Sequence, residues 1–433
     1  MKIPVVVVGA GACGLTAALA ARDAGADVLL LERDPHPAGS TALSSGFIPA
    51  APTRFQRGHD PDTAERMAAD IQRKNRDGAD ARIVRALCRA SGPAIEWLAD
   101  SHGVPFELVE GFLYPGHSAS RMHAVPEKTG AALMGHLLNA ARDIDLLTSA
   151  RVTEVKADSL KVERPDGSSE QVEFDALVLA CSGFGGNRAM VREHLPEIAD
   201  ALYFGHAGNQ GDAVRWGREL GAAVADMTAY QGHGSVATPH GILITWALMT
   251  EGGIQVNERG ERFHNEHAGY SEACLPVLRQ PGGVAWCVYD ERLHRLGMTF
   301  PDYQEAFRAG AVKTDATFPS LEKTLREVRE LAATAGQDRF GRSFKGKPAL
   351  APPCYAIKVT GALFHTQGGL VVNERAEVLD RNGTPLPNLY AGGGAARGLS
   401  GSQVWGYLSG NGLLSAVALG RIAGENAARR PRR

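Results

Sequence analysis

The chain lacks an excess of either charge, since 46 Lys and Arg stand against 48 Asp and Glu and the net charge is −2. A nucleic-acid partner is therefore not expected, because phosphate binding needs a basic surface. The sequence also lacks an apolar run of the about 18 residues that a membrane span needs. The first apolar run begins directly after Lys2, with no cleavage site of a leader peptide before it. We therefore expect a cytoplasmic protein with no membrane span.

Cysteine is scarce, with six residues in 433, and these lie far apart in the sequence. Their spacing contains no CxxC, no haem attachment motif and no zinc pattern, so we expect neither a disulfide framework nor a metal site. A CxxxxC redox pair is missing as well, which excludes the disulfide reductases. The scattered cysteines are typical of buried apolar residues in a reducing compartment.

What the sequence does contain begins with a βαβ pattern close to the N-terminus. A valine-rich run over residues 3–8 predicts a buried strand, a helical pattern follows from Gly14 to about Ala24, and residues 28–31 predict a second strand. Such a unit is the usual frame of a dinucleotide-binding loop.

The loop between this strand and helix carries a GxGxxG motif at residues 9–14. In such a motif Gly9 permits the tight turn, Gly11 lets a pyrophosphate approach the backbone, and Gly14 lets the helix pack on the strand. Glu32 ends the second strand, 18 residues after Gly14. A carboxylate at that place accepts hydrogen bonds from ribose hydroxyls, so the motif predicts a dinucleotide with an unphosphorylated adenosine ribose.

Two further glycine-rich segments favour FAD over NAD as the cofactor. One covers residues 38–46, directly after the ribose carboxylate, and the other covers residues 181–187, after a predicted buried strand that ends at Ala180. A chain needs such small residues to run alongside a long, extended cofactor. A second GxGxxG motif with its own acidic strand end is absent from the sequence, so no built-in NAD(P) site is expected.

The pattern along the chain indicates two domains, as its length also suggests. Residues 228–349 differ in texture, with short mixed strands and helices, and glycine-rich loops resume from about residue 350. We predict one domain divided in sequence, 1–227 and 350–433, with a second domain inserted at 228–349. The class is α/β, and a good helical pattern over residues 413–427 closes the chain.

At this point the sequence resembles a known family of flavoproteins, which includes soluble fumarate reductases and 3-ketosteroid dehydrogenases. The resemblance extends over nearly the whole chain. Its marks are residues 9–14 with Glu32, 39–46, 182–187, 208–213, 260–266 (similar to the GxRFxNE of the family), 365–369, 388–393, 406–414 and 420–424.

The resemblance implies a split, Rossmann-like FAD-binding domain of the glutathione-reductase type with an inserted α+β cap. It implies non-covalent FAD, because residues 40–42, where membrane-bound relatives carry a linking histidine, contain none. It also implies that the last helix directs its N-terminus, near residues 409–412, at the flavin. The cofactor contacts that we carry over are Gly9, Gly11, Gly14, Glu32, Ser40, Thr41, Gly46, Ser182, Gly183, Asn187, Asp212, Gly393, Leu408 and Ser409.

Two departures distinguish this chain from the fumarate reductases of the family. Tyr270 stands where the catalytic arginine is expected, and residues 404–407 contain no arginine to hold a carboxylate. Both departures favour the ketosteroid dehydrogenase branch, in which a cap tyrosine removes a proton next to a carbonyl. The resemblance then implies Tyr270 as the base, with the Tyr390 hydroxyl and the Gly394 N–H holding the ketone oxygen.

The predicted reaction is α,β-desaturation of a ketone, with hydride transfer to flavin N5. The predicted substrate is a small cyclic ketone, an oxo-acid or a ketosteroid. Electrons then pass to an external acceptor, quinone-like or another carrier. His365 and His233 are further candidates for the site. One alternative is reduction of an activated alkene carboxylate with these histidines and an arginine such as Arg397. Another is a flavin-binding module without turnover. The oligomeric state is left open.

Overall fold

The computed structural model describes residues 2–56 and 62–430. The strands in chain order are β1 (Ile3–Val8), β2 (Val28–Leu31), β3 (Ile48–Pro49), β4 (Glu107–Leu108), β5 (Met122–Ala124), β6 (Asp145–Leu147), β7 (Arg151–Val155), β8 (Ser159–Glu163), β9 (Ser169–Leu179), β10 (Leu202–Tyr203), β11 (Val224–Ala225), β12 (Tyr230–Ala237), β13 (Ile242–Leu243), β14 (Ile254–Val256), β15 (Val284–Tyr289), β16 (Val312–Lys313), β17 (Tyr355–Thr366), β18 (Gly369–Leu370), β19 (Glu377–Leu379) and β20 (Pro385–Ala391).

The α-helices in chain order are α1 (Ala12–Asp23), α2 (Gly39–Ala42), α3 (Ala64–Asn75), α4 (Ala81–His102), α5 (Gly130–Ala140), α6 (Arg188–His194), α7 (Asp212–Glu219), α8 (Ala247–Thr250), α9 (Tyr270–Leu278), α10 (Glu291–Gly297), α11 (Pro301–Arg308), α12 (Leu321–Thr334) and α13 (Asn411–Ala428). No helix in the described part of the chain is long and apolar enough to cross a bilayer.

The first sheet is built around the N-terminal strand. Its main path runs β19-β20-β9-β1-β2-β6, and β1 pairs in parallel with both of its neighbours. Val5, Val6 and Val7 have no exposed surface, because helices and loops cover both faces of the sheet. The predicted α/β class with a Rossmann-like FAD-binding domain is confirmed.

Strand β9 joins two elements that the sequence pattern predicts as separate strands, at 170–174 and 176–180. The structure has one strand of 11 residues there. Its first half pairs antiparallel with β8, and its second half pairs in parallel with β1. The small antiparallel unit β7–β9 is therefore continuous with the nucleotide-binding sheet.

Helices α1 and α13 contact each other through backbone rather than side chains. A Cβ atom on Gly420 would lie 2.6 Å from the carbonyl oxygen of Cys13, and one on Gly424 would lie 2.0 Å from that of Ala17. Only glycine allows this approach. The contact fixes the start of α13 at the same edge of the sheet as the GxGxxG loop.

The second sheet forms the cap, with the order β13-β12-β17-β15-β14 and with β10 and β16 also paired to β17. Its central strand, β17, lies beyond the predicted boundary at residue 350, and β10 comes from before residue 228. The predicted insert 228–349 therefore does not contain the whole sheet. The reason is that β17 pairs with β12 and β15 along most of its length, although the sequence that follows it belongs to glycine-rich loops.

Residues 260–266, with the sequence GERFHNE, have a structural role in the cap. Glu266 is fully buried and accepts hydrogen bonds from the Gln255 N–H and from Arg262 Nε, both at 2.9 Å, while Arg342 Nη1 lies 2.9 Å from its other oxygen. Burial alone would raise the pKa of Glu266, but the two guanidinium groups hold it well below its usual value. The carboxylate thus anchors the turn that leads into Tyr270 at the start of α9.

Replacing Glu266 by glutamine is expected to lower the free energy of unfolding by about 2 kcal/mol, because two buried guanidinium groups lose their shared countercharge while the shape is kept. Urea unfolding measures the change. The matched control is Glu425→Gln on the outer side of α13, whose partly exposed pair with Arg421 should contribute less than about 1 kcal/mol. Equal losses in the two variants would contradict the anchoring role.

Candidate active site

A long cavity lies where the carboxyl ends of β1, β2, β9 and β20 meet the cap. This is the edge at which open parallel sheets bind ligands. Its empty volume, which includes open solvent at its mouth, is about 1850 Å³. The residues that line it extend from Glu32 and the GxGxxG loop to Tyr270, so one continuous space joins the nucleotide end to the cap.

Glu32 occupies the nucleotide end of the cavity. One of its oxygens accepts the Ala10 N–H at 2.8 Å and the other accepts the Asp34 N–H at 3.0 Å. These two bonds orient the carboxylate, which is 8 % exposed and lines the cavity. Each carboxylate oxygen keeps a second lone pair, so the arrangement fits the two ribose hydroxyls that the sequence predicts.

The three motif glycines serve different purposes. A Cβ on Gly9, whose φ is +100°, would lie 2.7 Å from the Ala180 carbonyl oxygen, and one on Gly14 would lie 1.7 Å from that of Gly9. Packing of strand and helix therefore requires glycine at both positions. A Cβ on Gly11 meets nothing closer than Thr41 Oγ1 at 3.6 Å, and Gly11 lines the cavity. Gly11 therefore leaves space for a ligand.

Most of the predicted cofactor residues line this cavity. Besides Glu32 and Gly11 they are Gly9, Ser40, Thr41, Gly46, Ser182, Asp212, Gly393 and Ser409. Trp216, which is not among the predicted residues, lines it too, and its buried indole N–H has no acceptor among the described residues. A buried donor without a partner fits a ligand that supplies acceptors, as a dinucleotide does.

Four predicted cofactor residues do not line the cavity. Asn187 instead caps α6, where its side-chain oxygen accepts the N–H groups of Ala189 and Met190, at 3.1 and 3.2 Å. Gly183 packs closely on Thr366, and Gly14 packs on the first strand. Leu408 is buried in the core of the FAD-binding domain beside Gly116. These residues shape the loops around the cavity rather than its surface.

Tyr270 stands at the other end of the cavity, at the first position of α9. Its ring stacks on His233, with centroids 4.6 Å apart and an angle of 16° between the planes. Tyr407 and Tyr114 face the same ring, with centroid distances of 6.1 and 6.0 Å. The surrounding wall is apolar, formed by Phe204, Leu243 and Phe364.

Burial sets the protonation states at this end. It raises the pKa of Tyr270 well above its usual value and that of Tyr407 to about 12. It lowers the pKa of His233 to about 3 and that of His365 to about 4. At neutral pH the two tyrosines are therefore protonated and both imidazoles are uncharged.

His365 lies against the first turn of α13. Its Nε2 atom is 2.9 Å from the point that a Cβ on Gly412 would occupy, so only glycine leaves room for the ring. Ser409, Gly410 and Gly412 all line the cavity. The N-terminus of α13 thus faces the cavity, where its partial positive charge stabilises a negative charge on a bound group.

Tyr390 does not line the cavity, contrary to its predicted contact with a ketone oxygen. Its hydroxyl donates to the carbonyl oxygen of Asn426 in α13 at 3.4 Å, and its ring lies in the core of the FAD-binding domain. Alternate side chains of a strand point to opposite faces, and Tyr390 points to the helix side of β20. Gly394 does line the cavity.

Tyr407 lines the cavity but is not among the predicted site residues. It lies in the segment 404–407, and the prediction for this segment rests on its missing arginine and not on its tyrosine hydroxyl. The amide of Gly412 donates to its oxygen at 3.5 Å. A tyrosine just before the N-terminus of the last helix was the signal that could have identified it.

Cations are confined to the nucleotide end of the cavity. Among the described residues that line it, the only arginines are Arg33 and Arg151, and no lysine does. Arg33 follows Glu32 in the chain. Arg151 follows Ala150, whose N–H donates to the carbonyl oxygen of Glu32. Arg397 lies outside the lining, bound to Asp226 at 2.5 Å. The described wall around Tyr270 therefore offers no counter-charge to a carboxylate.

Comparison with known proteins identifies relatives of the whole chain. Residues 4–413 match the model of the FAD binding domain family. A probable fumarate reductase of Shewanella frigidimarina, Ifc3, is 29% identical over 98% of this chain and 74% of its own length.

Two solved structures are similar to the whole fold. The open conformation of a flavocytochrome c3 fumarate reductase has a TM-score of 0.80 at 28% identity and covers 98% of this chain and 78% of its own. A 3-ketosteroid-Δ4-(5α)-dehydrogenase from Rhodococcus jostii RHA1, in complex with 4-androstene-3,17-dione, has a TM-score of 0.76 at 26% identity and covers 99% and 97%.

Proposed function

Because this chain belongs to the FAD binding domain family and is an FAD-dependent oxidoreductase acting on CH–CH bonds, we propose that it desaturates the α,β-bond of an uncharged ketone. The observation that carries the proposal is the pairing of Tyr270 with Tyr407 in a cavity wall without a cation. When bound, FAD supplies the acceptor for the β-hydride at its N5 atom.

Tyr270 is the group that we propose to take the α-proton. The hydroxyls of Ser409 and Tyr407 lie beside its own. Burial and the neighbouring Tyr407 raise the pKa of Tyr270, and the hydrogen bond with Ser409 lowers it in part. A base in this position must act on a carbon acid that a neighbouring carbonyl makes acidic, so a second group has to stabilise the enolate oxygen.

Tyr407 is our candidate for that second group, in place of Tyr390. Its oxygen accepts a hydrogen bond from the Gly412 amide at the start of α13, and its hydroxyl is also hydrogen-bonded to that of Tyr270. The Gly394 N–H, which lines the cavity, remains a candidate for a second donor. Enolate formation needs such donors to the oxygen as well as a base for the proton.

The lack of a cation at this end supports a neutral substrate. A carboxylate buried against Phe204, Leu243 and Phe364 would lose its hydration without gaining a counter-charge, and such burial is costly. His233 and His365, both uncharged at neutral pH, do not supply that charge. A cyclic or steroidal ketone suits this wall better than a dicarboxylate or an oxo-acid.

The reverse reaction, hydrogenation of an α,β-unsaturated ketone, has one observation in its favour. Since burial raises the pKa of Tyr270 well above its usual value, its protonated form is the stable one at neutral pH. A protonated tyrosine is suited to donate a proton to the α-carbon. Desaturation by the same residue should accelerate as the pH rises toward the pKa of Tyr270, whereas hydrogenation should be independent of pH until that range and then slow down.

Anaerobic titration of the FAD-loaded protein tests the proposal. We expect saturated cyclic ketones, including a 3-ketosteroid, to bleach the flavin absorbance and to yield the enone, at a rate that rises from pH 7 to pH 10. Reoxidation of the reduced protein by enones would assign the reverse direction to the same site. Bleaching by no ketone, together with reoxidation by fumarate-like alkenes, would refute the ketone as substrate class.

We also propose an external carrier, quinone-like or of another kind, as the electron acceptor, because the sequence contains no second dinucleotide motif. The six cysteines are free in the structure, which supports a reducing compartment and hence a cytoplasmic location. Reoxidation kinetics of the ketone-reduced protein with a soluble quinone and with nicotinamide nucleotides would distinguish the two kinds of carrier.

A further inference from the structure

Gln367 follows β17 directly and lies beside His365 in the lining of the cavity. Its side-chain Nε2 lies 2.9 Å from His365 Nδ1, and its Oε1 accepts the Ser400 hydroxyl at 2.9 Å. Gln367 is 5 % exposed and Ser400 is 1 % exposed. A Cβ on Gly398 would come within 2.5 Å of the same Oε1, so the amide is enclosed on that side as well.

The backbone of Gln367 is fixed too. Its N–H donates to the Ala229 carbonyl oxygen, and its carbonyl oxygen accepts the Gly398 N–H, both at 2.8 Å. Because both the backbone and the side-chain amide are hydrogen-bonded, these contacts favour a single conformation of the side chain. Gln367 therefore presents a defined group to His365 rather than a mobile one.

An amide nitrogen donates hydrogen bonds and does not accept them. Nδ1 of His365 must therefore accept, which leaves the single proton of the neutral ring on Nε2. Nε2 faces the first turn of α13 at Gly412, inside the cavity. A second proton on Nδ1 would point at an N–H group, because among the described residues the other hydrogen-bonding partner of Nδ1 is the Thr366 carbonyl oxygen at a long 3.4 Å.

The surroundings of His365 act in the same direction. The titratable side chain packed against its ring is Tyr407, at a centroid distance of 5.5 Å, and its hydroxyl is protonated at neutral pH. Gln231 lies opposite His365 on β12, and Gly412 lies on α13. These neighbours bring no negative charge to the imidazole, and burial lowers its pKa to about 4.

We propose that Gln367 is a positioning residue that keeps His365 neutral with its proton on Nε2, and that this makes the site select uncharged carbonyl substrates over carboxylates. The inference rests on the proposed function, because it concerns the substrate of the same site. A neutral N–H polarises a carbonyl oxygen, whereas an imidazolium would attract anions as well. The amide beside the histidine thus sets the charge that the site prefers in its substrate.

The test replaces Gln367 by glutamate, with Gln367→Met as the matched control. A carboxylate can only accept a hydrogen bond, so it should place a proton on Nδ1 and turn His365 into an imidazolium near neutral pH. Methionine has a similar size and neither donates a proton nor carries a charge. FAD content and thermal unfolding of both variants show that the fold is kept.

The first readout is equilibrium binding to the oxidised, FAD-loaded protein, followed through flavin absorbance with cyclohexyl methyl ketone and cyclohexanecarboxylate as a neutral and an anionic probe of similar shape. The wild type should bind the ketone more tightly at pH 7. In Gln367→Glu the ratio of the two dissociation constants should shift at least about tenfold toward the carboxylate, as a charge-assisted bond replaces a neutral one. In Gln367→Met it should stay within about threefold of the wild type.

The second readout needs no substrate. ¹⁵N-histidine spectra, with His365 assigned by the difference from His365→Ala, should show an unprotonated Nδ1 and a protonated Nε2 in the wild type from pH 5 upward. Gln367→Glu should show both nitrogens protonated at neutral pH. A wild-type His365 that carries its proton on Nδ1, or that titrates near pH 6.5, overturns the positioning role.

The two readouts separate this inference from the proposed function. If no ketone binds or reduces the flavin, the proposed function fails while the spectra still decide the state of His365. If the spectra of Gln367→Glu show an imidazolium and the binding ratio does not move, the selection of substrates by His365 is refuted. A shift of equal size in Gln367→Met would refute the role of the charge.

Discussion

Replacing Tyr270 by phenylalanine is expected to lower kcat/KM for ketone desaturation by about a thousandfold, within the range that general acid–base groups contribute. The ring keeps its stacking on His233, at 4.6 Å between centroids, so FAD content and thermal stability should be unchanged. The change removes only the hydroxyl beside Ser409 and Tyr407. Stopped-flow reduction of the flavin under anaerobic conditions measures the loss.

A second measurement isolates the proton transfer. In D₂O the wild type should exchange the α-proton of a bound ketone for deuterium, and Tyr270→Phe should not, which NMR of the recovered ketone detects. Tyr390→Phe is the matched control, because the Tyr390 hydroxyl binds the Asn426 carbonyl oxygen outside the cavity. It should remain within about twofold of the wild type, because the hydroxyl that it loses does not line the cavity. A large loss in Tyr390→Phe with a small one in Tyr270→Phe would reverse the assignment.

Replacing Gly11 by alanine is expected to weaken FAD binding by at least about a hundredfold, because a displaced pyrophosphate loses charge-assisted hydrogen bonds to the backbone. The apoprotein itself should fold normally. Gly11 has φ −76° and ψ −175°, which any residue adopts, and the added Cβ meets only Thr41 Oγ1 at 3.6 Å. The variant should therefore purify colourless with an unchanged circular dichroism spectrum, and fluorescence titration with FAD measures its affinity.

Gly135→Ala provides the matched control. Gly135 lies on the exposed side of α5, and a Cβ there meets no atom within 4 Å. This variant should bind FAD as the wild type does, with slightly higher stability, since alanine favours a helix over glycine. Normal FAD binding by Gly11→Ala would show that the cofactor does not approach the backbone at this loop.

The features that the sequence predicts best are those with a local cause. The strand–loop–helix unit follows from a valine run, three spaced glycines and an acid at the strand end, and the structure has its helix at Ala12–Asp23. The last helix, predicted over 413–427, spans Asn411–Ala428. In each case the signal is a hydrophobic period next to a glycine boundary, which depends little on distant residues.

The assignment of Tyr390 and Tyr407 depended on information that a sequence pattern does not hold. The last three residues of β20, Leu389–Ala391, are all buried, so the pattern does not tell which face Tyr390 takes. Tyr407 lies in an irregular segment whose path is set by distant contacts. A Cβ on its neighbour Gly406 would come within 2.0 Å of the Ser400 carbonyl oxygen, for example. Asn187 illustrates the same limit, because an asparagine after two glycines suits a helix cap as well as a ligand.

Strand β17 has a consequence for exchanging parts between related enzymes. It is the central strand of the cap sheet, yet it ends at the cavity with His365 and continues into Gln367. A chimaera that replaced residues 228–349 by those of a relative would bring in a new residue at the place of Tyr270 and of His233. It would keep the recipient's own His365 and Gln367. The proposed base, Tyr270 on α9, and the histidine proposed to select the carbonyl, His365 on β17, are therefore inherited on separate pieces of chain, although both line one cavity.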